Sequence, residues 1–267
     1  MSGQASVGLR IEERAGGKVG FVTIDNSAKL NALSSPVMLD FVAKVDACGA
    51  DPDMRAMVVT GAGSRAFIGG ADIAEMAGLD PAKARAFITR VHGCCAAVRR
   101  CPIPVIARVN GHCYGAGMEL AAACDMRIAG MSARFGMPEV KLGIPSVVEA
   151  AVLPQLVGWG RTRELLLLGE TYPAGECADW GFVERVVADE ALDAEIDKVL
   201  ASLLACGPNA IRLQKELITR WETQPLPQAV ATGIDTFARA YESKEPGRMM
   251  AHFLKEQAER KARTGKN

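Results

Sequence analysis

Glu119 is the single acid among the small and apolar residues of GAGMELAAAC (115–124), and Glu139 stands in the short apolar stretch that opens FGMPEVKLG (135–143). A carboxylate taken out of water without a partner is costly, and its pKa climbs in response. Acids in such settings are either paired structurally or used to move protons. Two glycine turns accompany them. In AFIGGADIAEM (66–76) Gly69 and Gly70 precede Ala71, and in GAG (115–117) Gly115 precedes Ala116. Glycine lets the main chain approach a ligand closely, and free N–H groups at such turns can bind a developing negative charge. Two amide-presenting turns and two carboxylates suit a carbonyl that becomes an oxyanion while protons move beside it.

Neighbouring residues have structural readings. Asp72 reads as a helix N-cap, with Glu75 completing an Asp-x-x-Glu box that would fix the direction of the Ala71 amide. Glu149 offers a third carboxylate, but Ser146-x-x-Glu149 before Ala150–Leu153 also has the form of a capping box, and the cap is the favoured reading. GAGSRA (61–66) formally fits the GxGxxA of dinucleotide-binding proteins. That fingerprint needs a helix to begin inside the turn, and Ala66-Phe67-Ile68-Gly69-Gly70 is a poor helix. The segment reads instead as a loop leading to the Ala71 turn.

The elements that must position these groups alternate in type. Val7–Glu12 and Val19–Ile24 read as paired strands, and Ala56–Thr60, Val105–Val109 and Met126–Ala129 as further strands. Pro36, following Ser35, opens a helix toward Gly49, Pro81–Cys101 has long-helix composition, and Gly117–Cys124 is a short apolar helix. This rhythm predicts an α/β core with buried strands. From about Glu190 the chain reads as helical, broken at Gly207-Pro208, Pro225–Pro227 and Pro246-Gly247. The expected division is a core over 1–200 and a helical region over 201–267.

LNAL (30–33), AFIGGADI, VNGHCYGAGMELAAACD, FGMPEVKLGIP, GWGRTRELLLLGE and GFVERVV, in that order and spacing, resemble the crotonase family, the enoyl-CoA hydratase/isomerase superfamily. The resemblance implies a spiral of ββα units with a C-terminal helical trimerisation region, assembling as a homotrimer or homohexamer. It implies that the Ala71 and Ala116 amides are the oxyanion donors and that Glu119 and Glu139 are the catalytic glutamates, acting on a 2-enoyl-CoA without a separate cofactor. Lys29, Leu30 and Ala32 would line the CoA nucleotide pocket, although Lys29 alone also fits ordinary surface charge. Gly69, Gly70 and Gly115 would border the thioester, Ile73 would face the adenine or pantetheine, and Phe253 would reach CoA from the C-terminal helices. The lysine expected three residues after Phe253 is Glu256, so it is not carried over. Three departures stand out. Ala116 replaces a common glycine, Pro145 arrives one residue early, and Ser146-Val147-Val148-Glu149 replaces a glycine-rich stretch. Retention of both glutamates favours hydration over isomerisation; dehydration, thioester hydrolysis and non-catalytic acyl-CoA or RNA binding are the alternatives.

Composition bounds the rest. The 267 residues are 49% hydrophobic, enough to bury a sizeable core, and 31 basic residues balance 31 acidic ones, so no global field favours nucleic acid or an anionic membrane. The basic run KEQAERKARTGKN reads as a solvated helix end. Eight cysteines without a CxxC pair read as reduced, buried thiols, and with no signal or membrane-spanning run the expected location is the cytoplasm. His92, His112 and His252 lack metal-ligand spacing, so no metal site is expected.

Overall fold

The computed structural model describes residues 5–264. Its elements are β1 (Ser6–Arg14), β2 (Gly17–Asp25), α1 (Ser35–Ala50), β3 (Met54–Gly61), β4 (Ala66–Ile68), α2 (Ile73–Met76), α3 (Pro81–Arg100), β5 (Val105–Val109), β6 (His112–Tyr114) and α4 (Ala116–Ala123). There follow β7 (Met126–Gly130), β8 (Arg134–Gly136), two 3-10 turns (Pro138–Leu142 and Val148–Val152), α5 (Leu153–Leu168), β9 (Thr171–Pro173), α6 (Ala174–Asp179), β10 (Arg185–Val187) and α7 (Leu192–Ala205). The last three helices are α8 (Pro208–Trp221), α9 (Leu226–Ala240) and α10 (Glu245–Thr264). The chain divides into two compact units, 1–201 and 202–267.

The first unit repeats one motif. A strand enters a six-stranded sheet of order β1-β2-β3-β5-β7-β10, the chain turns a corner, and a three-residue strand enters a four-stranded sheet of order β4-β6-β8-β9 before helix follows. The pairs β3/β4, β5/β6 and β7/β8 are successive turns of this spiral. All pairings are parallel except β1 with β2 and β8 with β9. Val58, Val59, Val105, Ile106 and Ala107 are fully buried, as expected of a parallel sheet covered on both faces. The strands and helices that the sequence places are present; α5, α6 and the second sheet are additions, the last because three-residue strands carry no readable alternation.

Buried polar groups pin the corners. At the β3–β4 corner the Asn31 side chain donates to the carbonyls of Ala62 (3.0 Å) and Ala66 (2.8 Å), and Asn110, at the β5–β6 corner, donates to those of Gly61 (2.8 Å) and Gly63 (2.6 Å). Asp189 accepts from the Ser132 N–H at 3.0 Å beside the β7–β8 corner. Each bond satisfies a main-chain group at an irregular turn that no ladder serves. GAGSRA is thus the β3–β4 corner, followed by a strand rather than a nucleotide-binding helix.

Two local expectations need correction. Asp72 caps α2, accepting from Ala74 N (2.9 Å) and Glu75 N (3.4 Å), but Glu75 does not close a box on it. Glu75 accepts instead from the Ser35 N–H at 2.8 Å and from the Ser35 hydroxyl, capping the distant helix α1, whose own N-cap residue Ser34 makes no side-chain cap. Pro246 lies in the first turn of α10 and begins that helix; the break falls over 241–244.

In the second unit, Glu245 accepts from the N–H groups of Asn209 (3.0 Å) and Ala210 (2.9 Å) at the start of α8. Arg239 of α9 pairs with Glu216 of α8 through two bonds, at 3.0 and 3.1 Å. Leu226, Ile234, Phe237, Met250, Phe253 and Leu254 remain exposed. The side chains of residues 262–264 and all of 265–267, the end of the basic C-terminal run, lie outside the described residues. No described helix is long and apolar enough to cross a membrane. Seven of the eight cysteines are buried, Cys206 is exposed, and all are free thiols.

Gly117 tests the packing of α4 on β4. A Cβ there would collide with the Ile68 carbonyl. Gly117→Ala should destabilise by roughly 1–3 kcal/mol in chemical denaturation, against the gain expected of alanine within a helix.

Candidate active site

Three parallel strands of the smaller sheet deliver the site. β4 ends at Ile68 and leads through Gly69-Gly70 to Ala71, β6 ends at Tyr114 and leads through Gly115 to Ala116, and β8 ends at Gly136 and leads through Met137-Pro138 to Glu139. Adjacent parallel strands place their carboxyl ends side by side, so the three loops converge. Gly115 N–H donates to the Gly136 carbonyl at 2.9 Å, locking the second loop to the third. A Cβ on Gly115 would lie 3.9 Å from Gly70 Cα and 2.5 Å from Glu139 Oε1. A side chain at 115 would therefore crowd the Glu139 carboxylate, while its contact with Gly70 is an ordinary one.

The two glycines also carry the backbone reversal. Gly70 has φ 122° and Gly115 φ 52°, each immediately before the alanine whose amide matters. Ala116 is the first residue of α4, and positive φ among described non-glycine residues is confined to Leu30, Asn31 and Val148. Alanine at 116 is accordingly unstrained. Neither the Ala71 nor the Ala116 N–H donates to another group of the described chain. Ala71 is flanked by bonds that hold it in place, with Leu33 N donating to Gly70 O (2.9 Å) and Asp72 N donating to Leu33 O (2.9 Å).

These residues border a cavity of about 110 Å³. Gly69, Gly70, Ala71, Ile73, Gly115, Ala116, Glu119 and Glu139 line it, which unites both candidate donors, both candidate glutamates and four of the expected substrate contacts. Lys29, Leu30, Ala32 and Phe253 are not among its walls. Lys29 Nζ lies 2.8 Å from Asp72 Oδ2, and its hydrogen bond is the leading cause that holds the Asp72 carboxyl below its ordinary range. Leu30 accepts from Gly69 N at 2.7 Å, and Ala32 is buried beside it. The 29–33 turn thus braces the Ala71 loop from behind. Phe253 is exposed on α10.

Of the apolar walls, the sequence singled out only Pro145 and Val147, as departures from the family pattern. Met76, Phe87, Ile88 and Val91 from α2 and α3, and Leu142, Ile144, Pro145 and Val147 after Glu139, complete the cavity. Phe87, Ile88 and Val91 recur at helical spacing and read as ordinary core, so their sequence signal is ambiguous.

Burial is the first cause that pushes Glu119 up to about 8, followed by the charge of Glu139; Glu149 adds to it, and hydrogen bonds from the Ala150 and Val147 main chain oppose it. Glu139 is also raised, by burial first, against hydrogen bonds from its own backbone and Ser146. Ser146 Oγ donates to Glu139 Oε2 at 2.8 Å. That bond overturns the capping-box reading. The 3-10 turn over Val148–Val152 has Val147 at its N-cap with no side-chain cap, and Glu149 Oε1 lies 2.8 Å from His92 Nδ1. Ser146 and Glu149 both face the acidic cluster instead of each other.

The sequence profile described as enoyl-CoA hydratase/isomerase matches residues 14–261. The chain belongs to this family. Crotonyl-CoA hydratase of Syntrophomonas wolfei is 34% identical over 238 residues, covering 89% of this chain and 92% of that protein. Probable enoyl-CoA hydratase echA8 of Mycobacterium bovis is 35% identical over 243 residues, covering 90% and 93%. The crystal structure of enoyl-CoA hydratase from Bacillus anthracis superposes with a TM-score of 0.88 at 28% identity, covering 93% of this chain and 96% of that one. The ββα spiral is the family's crotonase fold.

The raised Glu119 pKa is also a stability statement. Below about 4.5 both folded and unfolded states hold the proton, and above about 8 both lose it while the folded state bears the buried charge. Stability should therefore fall as pH rises through that window, by on the order of a few kcal/mol. Glu119→Gln should flatten the fall in denaturant titrations at pH 5 and 9; equal slopes in both proteins would refute it.

Proposed function

We propose that the protein is an enoyl-CoA hydratase, adding water across the 2,3 double bond of a 2-enoyl-CoA thioester. One observation carries this reading. Two uncommitted amides, Ala71 and Ala116, and two carboxylates of raised pKa border one small apolar cavity. The substrate's thioester oxygen is placed against the two N–H groups, which stabilise it as it becomes an enolate oxygen. Water between Glu119 and Glu139 loses a proton and bonds to C3, and C2 takes a proton from the pair. A carboxyl held near 8 retains a proton at neutrality yet can release it, as both halves of the reaction require. Ser146 favours the ionised form of Glu139, which suits Glu139 to receive the water proton and Glu119 to supply the C2 proton.

The apolar walls and modest volume suit a short acyl chain, with CoA as part of the substrate and no separate cofactor. The CoA nucleotide is assigned to the exposed rim around Lys29 and Ile73, and Phe253 to the CoA contact of an assembled oligomer. The exposed apolar residues of α8, α9 and α10 support a homotrimer or homohexamer, since surface of that kind is ordinarily covered. Balanced charge and buried free thiols support a cytoplasmic enzyme without nucleic-acid or membrane partners.

A panel of 2-enoyl-CoAs, followed by loss of the conjugated-thioester absorbance, should show turnover, greatest for short chains. Glu119→Gln and Glu139→Gln should each lower kcat about 10²–10⁴-fold with folding intact, and near-normal turnover in either removes its assigned role. Ala116→Pro deletes one donor at a helix position that accepts proline, and should cost about 10²–10³-fold in kcat. Light scattering should give three or six times the chain mass of 28.3 kDa, whereas a fully active monomer would contradict the assembly.

A further inference from the structure

Glu149 and His92 have no part in the reaction as drawn, yet Glu149 is buried with its charge close enough to Glu119 to act on it. Glu149 Oε1 is 2.8 Å from Nδ1 of His92, a half-exposed residue of α3, and Oε2 is buried without a hydrogen-bond partner among the described residues. A buried carboxylate oxygen left unpartnered is an expense that packing alone does not call for. The backbone beside it is strained as well. Val148, β-branched, has φ 40°, a conformation such residues rarely adopt. The flanking residue Val147 lines the same cavity as Glu119, and the turn packs on α4, which carries Glu119.

We propose that Glu149 is a positioning residue for Glu119: tied to His92, it clamps the strained turn that packs on α4 beside Glu119, and it sets a third negative charge behind that group. This rests on the reading of Glu119 as an acid in the reaction. The titratable groups facing Glu149 are Glu119 from α4, His92, Cys94 and Cys95 from α3, and Glu139, across the cavity, whose charge also acts on Glu119. Burial comes first among the causes that hold both thiols in the neutral form, with Glu149 adding to it, so the thiols carry no charge near neutrality. His92 is half-exposed, so the line from Glu119 through Glu149 to His92 runs from the cavity to the exterior.

Two isosteric or near-isosteric variants test this. Infrared difference spectroscopy would follow the protonated Glu119 carbonyl band, identified by its loss in Glu119→Gln, alongside the pH profile of kcat. Glu149→Gln removes a negative neighbour, so the Glu119 midpoint should move down, and kcat should fall roughly 10- to 100-fold with KM within about twofold. His92→Gln removes the group that offsets Glu149, so the midpoint should move up. Packing alone does not produce opposite shifts. A midpoint unmoved in both variants, or displaced the same way, reduces the pair to a structural tie and overturns the proposal. If Glu149→Gln does not fold, the half-exposed His92→Gln decides, and an unmoved midpoint there is equally fatal. Opposite shifts in the two variants, with a wild-type protein that hydrates no enoyl-CoA, would uphold the positioning role and reject the proposed function.

Discussion

The approach of the Gly115 loop to its two neighbours is the constraint on which the site depends, because it brings main chain from β6 against Gly70 on one side and the Glu139 carboxylate on the other. A side chain at 115 would crowd the Glu139 carboxylate and strain the positive φ that turns the chain into α4. The spiral makes such an approach possible. It stacks β4, β6 and β8 in parallel, so their loops leave at the same edge, and the pinned corners fix how far each strand runs. A site built at the ends of short strands inherits their rigidity, which preorganised amides require.

The electrostatics follow from the same crowding. Glu119 and Glu139 come from different turns of the spiral and share an apolar cavity, so burial raises both and the charge of Glu139 raises Glu119 further. The Ala150 and Val147 main chain offsets part of that rise at Glu119, leaving it able to exchange protons near neutrality, and the Ser146 hydroxyl offsets part of it at Glu139. The stretch 146–149, where the sequence departs from the family's glycine-rich pattern, supplies these compensations. Its serine and glutamate point into the acidic cluster, and its valine bears the strain.

Much of this was legible in the sequence, and the omissions have a common cause. The long strands and helices carry enough residues to show their period, and the acids and glycine turns declare themselves by their contrast with apolar surroundings. β4, β6 and β8 are too short for any period, although they are what aligns the site. Both capping boxes misread a local i, i+3 pattern. Glu75 found Ser35 and Ser146 found Glu139, partners 40 and 7 residues away, because a buried donor or acceptor is satisfied by whatever the fold brings nearest. Lys29 shows the converse. Its ion pair with Asp72 reconciles a surface lysine with a role at the site, since it braces the loop that carries Ala71.

The central claim is that amides and carboxylates around one cavity join water to an enoyl thioester, and isotopic tracing reads that event at the reacting atoms. A four-carbon 2-enoyl-CoA incubated in deuterated, oxygen-18 water should yield a 3-hydroxyacyl-CoA carrying one solvent oxygen at C3 and one deuteron at C2 in a single configuration. Deuterium at C2 or C4 of an unhydrated product, or solvent oxygen in a released carboxylic acid, would contradict the account in favour of isomerisation or thioester hydrolysis.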